Sequence, residues 1–328
     1  MKLLKHLLAA AAIALSAHMP AIAADTGKLV FGQVMPAGSL QSPQVAIAVE
    51  KGLFKEAGLQ VEIVRFPTGR RGLEAILGGQ IDLAFMAEYP PVIAALQKQD
   101  FAILTQIAQF KGNRIIGRSD FGLNSLQDLA GKKIGTTIGS NSEYFTQVAL
   151  QKAGVKAEIV NLSPPDIIPA LDRGDIHVGI PFPDAYDKAR EVLGPRYREI
   201  VSQDYFGYMV ISASRKAIAE RPGDIRKFLS ALIKANDILL KNSADAKATL
   251  VAASQGTLTP AFVERIWPEY EFRLGFDDAF LDLLQNEAKW VEGKGVIKGG
   301  GIDRAGLRKY LADGPITALD PSLNKLSK

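Results

Sequence analysis

The chain has 328 residues, with 39 Lys and Arg against 35 Asp and Glu, three His and no Cys. That length exceeds what one small core needs and is enough for two lobes. The missing cysteines exclude disulfides and thiolate metal sites, and the near-balance of charge offers no basic stripe for nucleic acid.

The first element is a processing signal. Lys2 and Lys5 precede an almost wholly apolar run from Leu7 to Ala17, and Ala21-Ile22-Ala23 supplies a small-x-small cleavage pattern. This order reads as a secretory signal peptide over residues 1–23 rather than a membrane span, because the apolar run is short for a bilayer. Cleavage near Ala23 predicts a periplasmic protein, released rather than lipid-anchored because no cysteine is present to carry a lipid. His6 and His18 leave with the signal, so only His177 remains and a multi-histidine zinc site is excluded. Without Lys2 and Lys5, 37 basic residues face 35 acidic ones, a net charge of +2. Arg70-Arg71 and Lys132-Lys133 then read as solvated faces.

Beyond the signal, the pattern repeats. "LVFGQ" from Leu29 is a strand leading into a polar turn and a helix over Pro43–Lys51, and "IGTTIG" from Ile134 leads likewise into a helix over Ser142–Lys152. "AGLQVEIV" from Ala57 matches "AGVKAEIV" from Ala153, and "LEAILGGQIDLAF" from Leu73 matches "IPALDRGDIHVGI" from Ile168. Gly79 corresponds to Gly174, and Ile81 to Ile176. One unit therefore occurs twice: strand, turn, helix, strand, helix, strand. The alternation predicts an α/β protein of two similar lobes, each a mixed, mainly parallel sheet with helices on both faces.

Crossing strands are expected at "NRIIGRSD" from Asn113 and "GYMVISAS" from Gly207. They divide the chain into lobe I (residues 24–113 and 207–328) and lobe II (residues 114–206). The tail after Ala217 reads as mostly helical, over Asp224–Lys241, Asp277–Trp290 and Asp303–Leu311, the last two each begun by a capping aspartate. It is expected to pack on lobe I.

Ligands of open α/β sheets bind at the carboxyl ends of the strands. Here those ends are Pro36–Ser42, Phe66–Arg70 and Ala87–Pro90 in the first copy, and Gly139–Glu143, Ser163–Asp166 and Pro181–Tyr186 in the second. "GKK" at Gly131 precedes its strand and lacks phosphate-loop spacing, so no nucleotide site is expected. Gly139, Ser140, Asn141 and Ser142 stand at a helix start, where amides and hydroxyls bind an anion; the cap itself is expected at Asn141 or Ser142.

Four segments together resemble a known family. They are "AVEKGLFKEAGLQVEIV" (48–64), "LEAILGGQIDLAF" (73–85), "LQDLAGKKIGTTIGSNSEYF" (126–145) and "ALDRGDIHVGIPFPDAY" (170–186). They resemble the substrate-binding proteins of ABC transporters for nitrate, sulfonates, taurine and related compounds. The resemblance implies a type II periplasmic-binding-protein fold and capture of a small solute in the cleft. Two positions depart from the family pattern. Phe182-Pro183-Asp184 stands where the family usually has Trp-Glu-Pro, and His177 where it usually has Asp. No particular ligand is therefore carried over.

The ligand-binding candidates are Ser39, Gln41, Glu88, Tyr89, Gly139, Ser140, Asn141, Ser142, Phe182 and Asp184. Ser42 is expected to cap the helix begun by Pro43. Glu88 suits a ligand donor or the helix dipole, Tyr89 and Phe182 suit stacking, and Asp184 suits either a ligand contact or a cap. Arg70 and Arg114 are the nearest counter-ions, with Arg114 beside a crossing and able to pair with Asp120. Tyr205, Phe206 and Tyr208 are expected to pack around the return crossing.

Catalysis is poorly supported. No nucleophile elbow is present. His177 lies mid-strand, and the iron-using, pyrimidine-forming relative of this family relies on cysteines that this chain lacks. The expected function is delivery of a small organic anion or zwitterion to the permease of an ABC importer, by a monomer with no cofactor, no metal and no nucleic-acid partner. A neutral heterocycle as ligand, or an enzyme on the same scaffold, remain the alternatives. A regulatory effector domain is disfavoured by the signal peptide and the missing DNA-binding helices.

Overall fold

The computed structural model describes residues 27–34, 39–295 and 301–327. The signal peptide expected over residues 1–23 and the first part of the Pro36–Ser42 turn lie outside the described residues. Among the described residues, twelve strands form two sheets. β1 (Lys28–Val34), β2 (Gln60–Phe66), β3 (Leu83–Ala87) and β4 (Ala102–Phe110) belong to the first sheet. β5 (Arg114–Arg118), β6 (Lys133–Thr136), β7 (Glu158–Asn161), β8 (Val178–Gly179) and β9 (Tyr197–Val201) form the second. β10 (Gly207–Ala213), β11 (Tyr270–Asp277) and β12 (Asn324–Lys325) return to the first. The strand orders are β12-β11-β4-β10-β3-β1-β2 and β7-β6-β8-β5-β9.

The repeat is visible in this order. β2-β1-β3 in one sheet and β7-β6-β8 in the other have the same sequence-to-space arrangement, and all these pairings are parallel. Antiparallel pairing enters with the crossing strands: β10 lies against β3 and β4, and β5 against β8 and β9. Packing repeats too. A Cβ on Gly32 would lie 2.8 Å from the Ile81 Cδ1, and one on Gly135 would lie 2.5 Å from the Ile176 Cδ1. In each copy a glycine in the middle strand leaves room for the isoleucine that precedes the third strand. Gly79 and Gly174 both have positive φ, +69° and +88°, at the turn leaving the helix, a conformation that favours glycine.

Helices fill the faces. The helices Pro43–Glu50, Gly69–Leu77 and Tyr89–Leu96 follow the first three strands, and Asn141–Ala153, Ile167–Arg173 and Tyr186–Leu193 follow their counterparts. The tail supplies two long helices, Pro222–Lys241 and Asp278–Gly293. The second is capped by Asp277, whose carboxylate accepts from the Phe280 N–H at 2.8 Å. Asp303 caps a shorter helix than expected, Arg304–Arg308. The tail is not purely helical, because β11 extends the first sheet beside β4. No helix among the described residues is long and apolar enough to cross a membrane.

The chain passes between the sheets twice, after β4 and after β9. The two passages bond each other: the Ser202 N–H donates to the Asn113 carbonyl at 3.0 Å, and the Asn113 amide to the Tyr205 carbonyl at 3.2 Å. Arg114 is anchored here, and not to Asp120 as the sequence suggested. Its guanidinium makes two bonds to the Glu269 carboxylate, at 2.6 and 2.7 Å, and one to Glu199 at 3.0 Å. These partners, with stacking on Tyr186 at 4.6 Å, keep it charged despite burial. Asp120 pairs instead with Arg118.

Candidate functional site

The strand ends of the two sheets meet along a seam, and three groups of candidate residues lie on it. In the first, the Ser39 hydroxyl donates to Asp184 Oδ2 at 2.8 Å, and the Gln41 amide donates to the same oxygen at 3.1 Å. Ser39 and Gln41 follow β1, while Asp184 lies in the turn after β8, so the bond joins the two copies of the repeat. Burial pushes the Asp184 carboxyl upward, opposed by the bonds from Ser39, Gln41 and the Leu40 backbone. Its Oδ1 is enclosed and has no hydrogen-bond partner. Phe182 is half-buried at the start of the same turn. Ser42 does not cap its helix with its side chain; its hydroxyl accepts from the Gln33 amide at 2.7 Å. Gln33 is itself buried in β1, which draws the Ser42 side chain inward.

The second group surrounds Glu88, which is fully buried. Its carboxylate accepts from the Tyr205 hydroxyl and from the Tyr208 N–H at 2.9 Å, and its own N–H donates to the Tyr208 carbonyl at 3.1 Å. Both tyrosines flank the second passage, so Glu88 ties the end of β3 to that passage and to the start of β10. Glu287, from the helix Asp278–Gly293, is equally buried and faces Glu88. Burial raises both carboxyls, and for Glu287 the negative charge of Glu88 adds to it. Tyr89, Tyr144 and Trp290 form a ring cluster next to them, with centroids 5.5–6.1 Å apart. Tyr144 also packs edge-on against Tyr205 at 5.6 Å, and Asn141 lies beside the same phenol.

The third group is the turn Gly139–Ser142. Ser140, and not Asn141 or Ser142, is the helix cap. Its hydroxyl accepts from the Ser142 N–H at 3.3 Å and donates to the Thr137 carbonyl at 2.6 Å. The Gly139 N–H donates to Glu143 at 2.8 Å, and Glu143 pairs across the seam with Lys294 at 2.6 Å. Arg70 approaches Gly139 so closely that a Cβ there would lie 2.8 Å from Nη1. A groove of about 570 Å³ opens here, lined by Arg70, Tyr89, Ile138, Gly139, Glu143 and Lys294 among others. Of the two counter-ions considered, Arg70 reaches the groove, and Arg114 lies beside the passages between the sheets.

The structure thus distributes the ten candidates rather than gathering them around one point. Ser39, Gln41 and Asp184 join directly, with Phe182 in the same turn as Asp184. Glu88, Tyr89 and Asn141 lie in the aromatic and carboxyl cluster, and Gly139, Ser140 and Ser142 lie at the helix start. Sequence reasoning missed Glu287, Trp290, Lys294 and Tyr144. A signal existed for Glu287: it continues the inward face Phe280, Leu281, Leu284, Ala288 and Val291, so a carboxyl stands at a core position. His177 precedes β8, where its Nδ1 accepts from the Lys133 N–H at 2.9 Å and its ring packs edge-on against Phe121.

Comparison with known proteins adds to this geometry. The taurine-binding periplasmic protein of Escherichia coli (strain K12) is 30% identical over 207 residues, 61% of this chain and 64% of that protein. The chain spans 63–64% of the length of the curated relatives it matches. Among solved structures, the alkanesulfonate-binding protein SsuA from Xanthomonas axonopodis pv. citri, bound to MOPS, superposes with a TM-score of 0.73 at 20% identity, covering 88% of this chain and 99% of that one. A desulfurization enzyme superposes with a TM-score of 0.65 at 16% identity, covering 90% of this chain and 99% of that one. The fold is therefore that of the periplasmic binding proteins, a scaffold that also carries an enzyme. The NMT1/THI5 like family profile matches residues 41–246, and the chain belongs to that family.

Proposed function

We propose that the protein is an extracytoplasmic solute-binding protein that captures a small organic anion or zwitterion of the sulfonate class and delivers it to the permease of an ABC importer. The observation that carries this reading is the direct bonding of Ser39 and Gln41, from one strand-end loop, to Asp184 in the loop of the other sheet. Such a seam brings polar groups from both sides around a small molecule without any catalytic group. The taurine- and alkanesulfonate-binding proteins to which the chain is similar support the same class.

In this reading residues 24–113 and 207–328 form one lobe and residues 114–206 the other. The signal peptide over residues 1–23 directs the protein to the periplasm, where it works as a monomer. Isothermal titration calorimetry with a series of small alkane- and aminoalkanesulfonates tests it. Saturable one-to-one binding of at least one is expected, and recovery of the unchanged compound afterwards separates capture from turnover. No binding by any member at millimolar concentration counts against the sulfonate class. Conversion of the compound would favour an enzyme, the reading that the likeness to a desulfurization enzyme keeps open.

A further inference from the structure

The helix Asp278–Gly293 presents two stripes to the rest of the molecule. Phe280, Leu281, Leu284, Ala288 and Val291 face the first sheet, where Phe280 packs on Tyr208 at 5.2 Å and on Phe276 at 6.2 Å. Leu283, Glu287, Trp290 and Lys294 recur at alternating steps of four and three residues, so they line up along a second, adjacent stripe. This stripe meets the helix Asn141–Ala153, which belongs to the second sheet. Leu283 packs against the apolar cluster of that body. The Trp290 ring stands edge-on to Tyr144 at 5.5 Å, with an interplanar angle of 73°. Lys294, just past the helix end, lies 4.3 Å from the centre of the Trp290 ring and 2.6 Å from Glu143 Oε1. One helix of the tail is thus packed on both bodies.

Glu143 carries this contact on to the candidate turn. Its side chain is only 8% exposed, and its two oxygens have separate partners. Oε1 accepts from Lys294, and Oε2 accepts from the Gly139 N–H at 2.8 Å. An exposed lysine–glutamate pair contributes little, but an enclosed carboxylate depends on its counter-ion. Two features hold that counter-ion in place: the C-terminal end of its own helix, where the dipole favours a cation, and the face of Trp290. Gly139, Glu143 and Lys294 all line the groove of about 570 Å³, so this chain of contacts forms part of its wall.

We propose that Trp290 and Lys294 are positioning residues for solute capture. By holding Tyr144 and Glu143 they fix the turn Gly139–Ser142 against the first body, and so strengthen binding of the solute. The effect on binding rests on the solute-binding reading; the fixing of the turn does not. Both residues lie outside residues 41–246, so the family profile does not cover them.

Hydrogen–deuterium exchange on the intact, unliganded chain tests the fixing of the turn, with Lys294→Met and Trp290→Leu set against the wild type. Amide exchange over residues 138–143 is expected to accelerate by about tenfold or more in each variant, while β3 and β10 keep their rates. Lys294→Arg keeps the charge and is expected to keep the slow exchange. Lys294 is exposed, so its variants keep the test open if Trp290→Leu does not fold. Unchanged exchange over the turn overturns the proposal. So does an equal acceleration throughout the chain, which marks a general loss of stability. Calorimetry with ethanesulfonate tests the effect on binding: severalfold weaker affinity is expected in Lys294→Met and Trp290→Leu, with recovery in Lys294→Arg. Wild-type affinity in variants whose turn has loosened overturns the positioning role. Absence of binding by the wild type counts against the sulfonate reading and leaves the exchange result to decide on the fixing of the turn.

Discussion

Glu88 and Glu287 are both fully buried, and among the described residues no lysine or arginine bonds either carboxyl. Two carboxyls in a dry site cannot both ionise cheaply, so their pKa values are raised in the folded chain. In the unfolded chain each titrates near the ordinary 4.5. Above that pH the unfolded chain releases protons that the folded chain keeps. The stabilisation is thus fully present below the unfolded pKa and is lost as pH rises through the folded one. Asp184 acts with the same sign. Carboxylates held low, such as Asp128, Glu199 and Asp204, act oppositely, and their contribution disappears only as pH falls through and below the ordinary carboxylate range. Chemical denaturation between about pH 5 and about pH 8 is therefore expected to show stability falling with pH, and Glu287→Gln to flatten the slope by up to about 1.4 kcal/mol per pH unit. Identical slopes would show that the pair does not titrate in this range. At this scale the sequence was partly legible. The turn Gly139–Ser142 was recognisable as a helix start, but three consecutive polar side chains can each cap, and only the phase of the following helix selects Ser140. Glu88 was recognisable as a strand-end carboxylate. Its partner Glu287 lies 199 positions away, and no local pattern connects them.

At the scale of elements, legibility followed repetition. Strands and helices of the two copies could be aligned because each copy supports the other, down to the glycine–isoleucine pairs. Gly135 has ordinary φ, so its lack of a side chain is a matter of space. Gly135→Ala would bring a methyl to 2.5 Å from the Ile176 Cδ1 and 2.9 Å from the Leu162 Cδ1. Both are side-chain ends that can shift, so the expected loss is about 1–3 kcal/mol, the usual cost of overpacking. Ile176→Val lacks the clashing atom, and the double variant is expected to recover part of that loss in urea denaturation. A purely additive pair of losses would mean that the isoleucine is not what the methyl strikes. Where nothing repeats, the reading failed for a physical reason. Arg114 was assigned a local partner, Asp120, but its carboxylates come from Glu199 and from Glu269, 155 positions away. The tail was read as mostly helical because helical periodicity dominates it, and no strand was placed there. β11, with its aromatic run Tyr270, Phe272 and Phe276, entered unannounced because its value lies in pairing with β4.

At the scale of the molecule, the two sheets are joined by two short passages and meet along a seam whose polar ties include Ser39 and Gln41 to Asp184, Glu143 to Lys294, Arg114 to Glu269 and Asp187 to Arg265. If the two bodies open when those ties are not reinforced, a ligand that bonds both sides shifts the population toward closure. Small-angle scattering is expected to give a smaller radius of gyration with a saturating sulfonate than without one. An unchanged radius in a sample shown by calorimetry to be bound would count against hinge closure. The strand order has a further consequence for how the chain reaches this form. β10 lies between β3 and β4, so these two strands, close in sequence, cannot be bridged until Gly207–Ala213 has arrived. The second sheet is instead made from one uninterrupted stretch, β5 to β9. As the chain folds, the inserted body can therefore assemble by itself while the outer one waits, half-built, for its central strand. Contacts that span so much sequence form late, so the order of assembly runs from the middle of the chain outward.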